Sequence, residues 1–218
     1  GLFSFMFVEL DRRAYESSTF NNYDSSIEII ESISPSKEFT IISHGFAGSK
    51  EMMKQIAYDI ANAGSNAVLF DFIGHGSNQK KLVNQPAEIT GTTQQLVAQL
   101  SNIINFIHEK FGNEISISLV GHSMASDIVI RASAEERIKS VVAISPYSTG
   151  ITQEFPKDLL LVSGQFENHL RSHALKMVKA FRPDAEENTG YEDERIRRKA
   201  SYIKNTGHVS VIYAPQTT

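Results

Sequence analysis

The stretch that most constrains the fold is Ile115–Arg131, in which an apolar run is interrupted by a short turn and followed by apolar residues at helical spacing. Residues 117–120 predict a buried strand, and residues 128–132 predict the apolar face of a helix. Ser123 lies in the turn between them. A strand, a very short turn and a helix in this order hold one hydroxyl at the carboxyl edge of a sheet.

The residues around Ser123 fit the demands of such a turn. Its backbone is strained and its strand and helix nearly touch, so small residues are needed two positions before and two after the serine. Gly121 and Ala125 occupy those positions. The amide of Met124, at the start of the helix, would point toward an anion that forms beside the serine. Ser123 is therefore a candidate nucleophile.

The rest of the chain alternates apolar strands with amphipathic helices. Strands are expected at 3–8, 27–33, 39–42, 67–72, 141–144, 159–162 and 200–203, and helices from Ser49, Thr92 and about Asn168. Residues 21–24 have turn chemistry, and the charged segment 183–198 predicts a surface excursion with a helical part. This alternation predicts a mostly parallel sheet flanked by helices on both faces. With no repeat or boundary visible, we expect a single domain over residues 1–218.

Composition excludes several classes of function. The 218 residues carry a net charge of −4 and no basic stripe, which argues against a nucleic-acid partner. The absence of cysteine excludes disulfides, thiolate metal sites and a cysteine nucleophile. No apolar run has the length of a membrane span, and no signal peptide is visible, which slightly favours the cytoplasm. The sequence begins at Gly1 rather than Met and is compatible with a segment of a longer protein.

Candidate functional residues collect where the predicted strands end, which is where sites lie in open parallel sheets. These strand ends carry His44-Gly45-Phe46, Asp71 with Gly74-His75-Gly76, Ser123, Ser145-Pro146-Tyr147, Gly164 to Glu167, and Gly207-His208. A serine hydroxyl needs an imidazole to take its proton, and the imidazole needs a carboxylate to orient it. Ser123, Glu167 and His208 supply these groups in the chain order serine, acid, histidine.

With these motifs the chain resembles the α/β-hydrolases of the serine esterase and lipase superfamily, from about Phe39 to His208. The resemblance implies that the backbone amides of Phe46 and Met124 form an oxyanion hole. It also implies that the Asp71–Ser77 turn is structural, and that Glu167 takes the place of the triad acid. The chain departs from the family pattern at Ala125-Ser126 (usually Gly-Gly), at Glu167 (more often Asp) and at Ser77, which comes one position early.

Other residues have alternative interpretations. Asp184 or Glu186 could serve as the acid in place of Glu167. His44 and His75 are expected to order their loops rather than act as bases. His169 and His173 have the spacing of metal ligands on a helix, but no third ligand follows at fixed spacing, so no metal is predicted.

The resemblance implies hydrolysis of carboxylic esters through an acyl-enzyme, without a cofactor. Only residues 146–157 separate two strands where the family usually inserts a cap, so we expect a minimal cap or none. The open cleft, with walls that include Phe46, Tyr147 and Phe166, favours small-molecule esters with short or medium acyl groups. A thioesterase, a serine peptidase and a catalytically weak binding module are the alternatives. Residues 209–214 are expected to form a stub of the family's final helix, or else the chain continues.

Overall fold

The computed structural model describes residues 15–22, 25–83, 89–135, 137–151, 156, 158–164, 167–180, 183–186, 191–193, 198–204 and 209–213. Backbone proximity divides the chain into two compact units, Gly1–Ile117 and Ser118–Thr218. Each unit is described by itself below, and the single domain over the whole chain stays a prediction. The expected strand at residues 3–8 lies outside the described residues.

The described residues of the first unit form four complete strands, one 3-10 helix and two α-helices. Its elements are β1 (Ser17–Asn22), β2 (Ser25–Ile30), β3 (Glu38–Ser43), a 3-10 helix (Lys50–Met53) that runs into α1 (Lys54–Asn62), β4 (Asn66–Phe70) and α2 (Ile89–Phe111). The strands lie in the order β1-β2-β4-β3. β3 and β4 are parallel, whereas β2 is antiparallel to both β1 and β4.

Burial explains why these segments form strands and helices. Ile41, Val68 and Phe70 in the inner strands are fully buried, as expected for a parallel pair covered on both faces. Leu100 and Ile107 lie on the apolar face of α2 and are also fully buried. Burial of this apolar surface is the main source of stability in this unit.

Four details of the first unit differ from the sequence prediction. Asn21 and Asn22 belong to strand β1, which was not predicted because its side chains alternate between exposed and half-buried and give no apolar pattern. Ile33 is 66% exposed and lies beyond the end of β2. Ser49 precedes the 3-10 helix but its side chain makes no capping hydrogen bond. Helix α2 begins at Ile89, three residues before Thr92.

The second unit contains the Ser123 turn. Strand β5 (Ser116–His122) begins at the end of the first unit and continues into the second. It is followed by α3 (Met124–Ala132), β6 (Ile138–Ile144), β7 (Leu159–Gly164), α4 (Asn168–Lys179), β8 (Tyr191–Asp193), β9 (Arg198–Lys204) and β10 (Val209–Tyr213). The strands lie in the order β5-β6-β7-β10-β9-β8. β6 and β7 are parallel, and β10 is antiparallel to both β7 and β9.

The last part of the chain corrects two expectations. The helix stub expected from residue 209 is wrong, since Val209–Tyr213 is strand β10, and residues 200–203 are not in the last strand. The charged segment contains strand β8 at Tyr191–Asp193, and its described residues include no helix. As a consequence Val209, rather than a residue of β9, pairs with Gly164 at the end of β7.

No helix in the described part of the chain combines the length and the apolar character that crossing a bilayer requires.

Replacement of Gly121 by alanine tests the close approach of β5 and α3. A Cβ atom at this position would lie 2.7 Å from both the Ala125 carbonyl carbon and a Val129 methyl group. Because backbone cannot move aside cheaply, we expect Gly121→Ala to lower the free energy of unfolding by about 3 kcal/mol. The control is Gly112→Ala, where no atom lies within 4 Å. Its left-handed backbone should cost only about 1 kcal/mol. Urea denaturation measures both, and equal stability of Gly121→Ala and wild type would contradict this packing.

Candidate active site

Ser123 adopts the strained conformation expected of a nucleophile turn. Its backbone angles are φ 53° and ψ −117°, and its side chain is exposed. The Ser123 N–H donates to the Ile144 carbonyl oxygen at 2.8 Å, and the Ser126 N–H donates to the Ser123 carbonyl oxygen at 2.9 Å. The turn is thus hydrogen-bonded to the neighbouring strand on one side and to helix α3 on the other. These bonds stabilise its strained backbone conformation.

Left-handed backbone outside glycine occurs at three positions in the described ranges, namely Ala47, Ser123 and Ser145. Such residues are uncommon, and they concentrate at functional sites. Ala47 follows the predicted oxyanion residue Phe46, whereas Ser123 and Ser145 directly follow β5 and β6. The strain therefore coincides with the strand ends where the sequence predicts the site.

Two hydrogen-bond donors among the described residues hold the Glu167 carboxylate. The Ser145 hydroxyl lies 2.9 Å from Oε1 and 3.0 Å from Oε2, and the Gly164 N–H donates to Oε2 at 2.6 Å. The Glu167 N–H in turn donates to the Gly164 carbonyl oxygen at 3.0 Å, which closes the turn after β7. The alternative acids Asp184 and Glu186 are exposed. The contacts thus favour Glu167 as a fixed carboxylate.

Backbone hydrogen bonds connect the ends of β5, β6 and β7. The Ser123 N–H reaches the last residue of β6, and the Ser145 N–H donates to the Val162 carbonyl oxygen of β7 at 2.6 Å. Val209, the residue after His208 in the sequence, pairs with Gly164. The predicted histidine His208 itself and the predicted substrate contact Phe166 lie outside the described residues.

The loop after β6 is hydrogen-bonded to α3. The Tyr147 N–H donates to Ser126 Oγ at 3.0 Å, and the Ser148 hydroxyl donates to Asp127 Oδ1 at 2.6 Å. Arg131 bonds the other Asp127 oxygen at 2.8 Å and the Thr149 hydroxyl at 3.1 Å. Side chains from one face of the helix therefore hold the segment in which the family usually begins its cap.

Helix α4 holds the same loop through His173. The Ser148 N–H and carbonyl oxygen lie 3.3 Å and 3.1 Å from His173 Nε2, and the ring of Tyr147 stacks on the imidazole with centroids 4.2 Å apart. Tyr147 is nevertheless 52% exposed, so one face of the predicted substrate contact is open. Among the described residues no group of three or more His, Asp or Glu side chains could hold a metal ion.

In the first unit, His44 orders the predicted oxyanion loop. The Phe72 N–H donates to Nε2 at 3.1 Å, so the proton of the neutral ring is on Nδ1, which donates to the Gly45 carbonyl oxygen at 2.8 Å. His44 is only 1% exposed. This burial lowers the pKa of His44, and it outweighs the opposing effects of the Gly45 carbonyl and the Asp71 carboxylate. His44 is therefore a neutral structural histidine, as its position in the motif predicted.

Asp71 connects the loop after β4 to the start of the 3-10 helix. Its carboxylate accepts the Lys50 N–H at 2.7 Å, the Ser77 N–H at 2.9 Å and the Ser77 hydroxyl at 2.7 Å. Burial alone would raise the pKa of Asp71, but these hydrogen bonds and the nearby His44 together lower it. The contacts agree with the structural role expected for the Asp71–Ser77 turn.

Phe46 lies in the turn that the Gly48 N–H closes onto the Gly45 carbonyl oxygen at 3.1 Å, and its side chain is 78% exposed. It belongs to the first unit, whereas Met124 belongs to the second. The pairing of their amides in one oxyanion hole stays a prediction.

The comparison with protein families identifies the class. A family model described as alpha/beta hydrolase fold matches residues 41–207, which is most of the chain. The chain therefore belongs to the α/β-hydrolase family. The predicted fold class, a mostly parallel sheet with flanking helices and a minimal cap, is confirmed. No curated protein matches the sequence.

Several solved structures are similar to parts of the chain. An esterase from Pyrococcus furiosus is 21% identical with a TM-score of 0.49, covering 61% of this chain and 52% of its own. A carboxyl esterase from Bacillus coagulans is 15% identical with a TM-score of 0.48, covering 66% of this chain and 46% of its own. An epoxide hydrolase from Vigna radiata is 18% identical with a TM-score of 0.47, covering 62% and 40%. The chain thus spans about half the length of these structures or less.

The contacts of Ser145 and Asp127 were not foreseen from the sequence. Ser145 was among the strand-end residues, but no pattern indicated that its hydroxyl bonds Glu167, because side-chain partners across a sheet leave no periodic signal. The Asp127–Arg131 pair has the helical i, i+4 spacing, which was the available hint.

The lowered pKa of His44 predicts a pH dependence of stability. The unfolded chain binds a proton near the ordinary histidine pKa of about 6.5, whereas the folded protein binds it only at lower pH. The free energy of unfolding should therefore fall as the pH is lowered below about 6.5, and this contribution should level off below the folded pKa. His44→Gln should be less stable at pH 8 and should have a flatter profile from pH 7 to 5. Chemical denaturation at each pH measures the free energy of unfolding of both proteins. Profiles of this free energy against pH that run parallel would refute the lowered pKa of His44.

The lowered pKa of Asp71 predicts a second change in stability, at lower pH. Because its folded pKa lies below the ordinary value, its contribution is present above about pH 4 and is lost as the pH falls through the folded pKa. Asp71→Asn should lack this acid-range loss and should be less stable than wild type at neutral pH. Thermal unfolding from pH 5 to 2 measures this loss of stability. Melting temperatures of Asp71→Asn and wild type that coincide at every pH would contradict the predicted role of Asp71.

Proposed function

We propose that the protein is a serine hydrolase that cleaves carboxylic esters through an acyl-enzyme, with Ser123, His208 and Glu167 as its triad. The observation that carries the proposal is the conformation of Ser123. Its exposed side chain lies on a left-handed turn between β5 and α3, and the turn is bonded to the end of β6. Strain of this kind is retained where a hydroxyl must be presented to a substrate.

The acid and the base are supported by contacts of the second unit. Glu167 follows β7, and the Ser145 and Gly164 donors fix its carboxylate. His208 directly precedes Val209, whose strand partner is Gly164, three residues before Glu167. This register supports a histidine near the carboxylate. Glutamate serves the same role as aspartate, since the acid orients the imidazole and stabilises the imidazolium.

The reaction follows from these roles. His208 takes the proton of Ser123 while the hydroxyl attacks the carbonyl carbon, and the Phe46 and Met124 amides stabilise the oxyanion. In comparable sites one such donor is worth about 100-fold or more in rate. His208 then protonates the leaving alcohol, and water activated by the same imidazole attacks the acyl-enzyme to release the acid and free Ser123. No cofactor enters these steps.

The proposed substrate class rests on the short loop that stands where a cap would cover the site. The loop after β6 is hydrogen-bonded to α3 and α4 where a cap would begin, through Ser148 with Asp127 and His173. An open cleft accepts small-molecule esters with short or medium acyl groups more readily than molecules that must be enclosed. We propose Phe46, Tyr147 and Phe166 as apolar contacts of the acyl group, and the first two side chains are exposed.

Covalent labelling tests the enzyme against the alternative of a catalytically weak binding module. A fluorophosphonate probe should label wild type stoichiometrically at Ser123, as read by peptide mass spectrometry. Ser123→Ala should not be labelled, and His208→Ala should be labelled at least about 100-fold more slowly because its serine keeps its proton. Ser126→Ala is the matched control, a neighbouring serine outside the triad that should leave Ser123 reactive. Absence of labelling of the wild type from pH 6 to 9 would favour the binding module.

Turnover of chromogenic substrates separates the remaining hydrolase classes. Nitrophenyl esters with two to eight acyl carbons should be hydrolysed with the highest kcat/KM at short to medium length, and Ser123→Ala should lose activity by about four orders of magnitude or more. Preference for acyl thioesters would indicate a thioesterase, and preference for aminoacyl anilides a peptidase. Either preference would overturn the ester proposal while keeping the serine mechanism.

A further inference from the structure

We propose that Ser145 is a positioning residue that holds the Glu167 carboxylate in the orientation the triad requires. The inference rests on the proposed function and extends it to a residue outside the three triad members. The Ser145 hydroxyl is within hydrogen-bond distance of both carboxylate oxygens, at 2.9 Å and 3.0 Å. The Gly164 N–H bonds only Oε2.

The geometry explains why a glutamate needs this partner. Glutamate has one more rotatable bond than aspartate, so more conformational freedom must be restrained before its carboxylate can orient an imidazole. Here the side chain folds back onto its own turn and reaches the Gly164 amide. A Cβ atom at residue 164 would lie 2.9 Å from Glu167 Oε2, so the absent side chain of Gly164 makes room for this arrangement.

Of the two donors in the described ranges, Ser145 is the one that lies at the end of a different strand. The Gly164 amide belongs to the same turn as Glu167, so it fixes the carboxylate relative to β7 only. Ser145 follows β6, the strand whose last carbonyl accepts the Ser123 N–H. The Ser145 hydroxyl therefore fixes the acid relative to the strand that also holds the nucleophile turn. Oε1 accepts from Ser145, and a carboxylate oxygen has a second lone pair with which it could accept an imidazole N–H.

The backbone of Ser145 supports a role beyond local structure. Its φ is +50°, in the left-handed region where glycine is the favoured residue. A serine at this position accepts a conformational cost that a glycine would avoid. The hydroxyl and its bonds to Glu167 give a physical reason for the serine.

Two replacements of Ser145 separate positioning from stability. Ser145→Ala removes the hydroxyl and keeps the left-handed strain, whereas Ser145→Gly removes both and should therefore melt at a higher temperature than Ser145→Ala. We expect both variants to lower kcat for a nitrophenyl ester by about ten- to a hundredfold, the worth of a hydrogen bond to a charged group, with KM unchanged. Ser140→Ala is the matched control, since it removes another serine hydroxyl of β6, one that lies 2.8 Å from the Ser118 hydroxyl on β5 and away from the proposed site. It should lose stability and keep its kcat.

A second experiment adds the Ser145 replacement to a protein that already lacks the Glu167 carboxylate. If Ser145 acts through Glu167, Ser145→Ala should cause no further loss of kcat when added to Glu167→Ala. Wild-type kcat in Ser145→Gly, or an undiminished effect of Ser145→Ala without Glu167, would overturn the inference while leaving the proposed function intact. A wild-type protein without turnover or probe labelling would instead overturn the proposed function, and this inference with it.

Discussion

The structure of the second unit depends on hydrogen bonds that pass from the end of one strand to the next. The amide of the residue that leaves β5 donates to β6, and the amide of the residue that leaves β6 donates to β7. To make these bonds, Ser123 and Ser145 both adopt left-handed backbone. Each bond contributes only about 1 kcal/mol net, and the packed strands and helices around the turns help to hold the left-handed conformations that the bonds require.

The loops of the proposed site are held from more than one side. In the first unit, His44 and Asp71 fix the Gly45–Gly48 turn and the start of the 3-10 helix. In the second, α3 and α4 hold the loop after β6, and Ser145 with Gly164 holds Glu167. Groups fixed before the substrate arrives need not reorganise during the reaction, which is the main requirement for electrostatic stabilisation of a transition state. The same bonds fix residues 147–149, at the start of the loop that stands where the family usually has a cap.

The sequence predicted those features that leave a local pattern. Buried strands and the amphipathic α2 have clear periodicity, and the nucleophile turn is marked by Gly121, whose missing side chain is required by contact with α3. Strand β1 could not be predicted because the residues on its half-buried face are mostly polar. The alternative of a helix stub at residues 209–214 rested on the final helix usual in the family, and the five-residue strand β10 is too short for its apolar pattern to contradict it. The bond between Ser145 and Glu167 joins residues from different strands, and such tertiary contacts leave no local signal.

The central claim is that the imidazole of His208 bridges Ser123 and Glu167 at one edge of the sheet. The most direct measurement is a crystal structure of the wild-type protein near pH 7.5. It should place one imidazole nitrogen about 3 Å from Ser123 Oγ and the other within hydrogen-bond distance of a Glu167 carboxylate oxygen. An imidazole far from both side chains, with the Ser123 turn intact and no loop able to close the distance, would contradict the account.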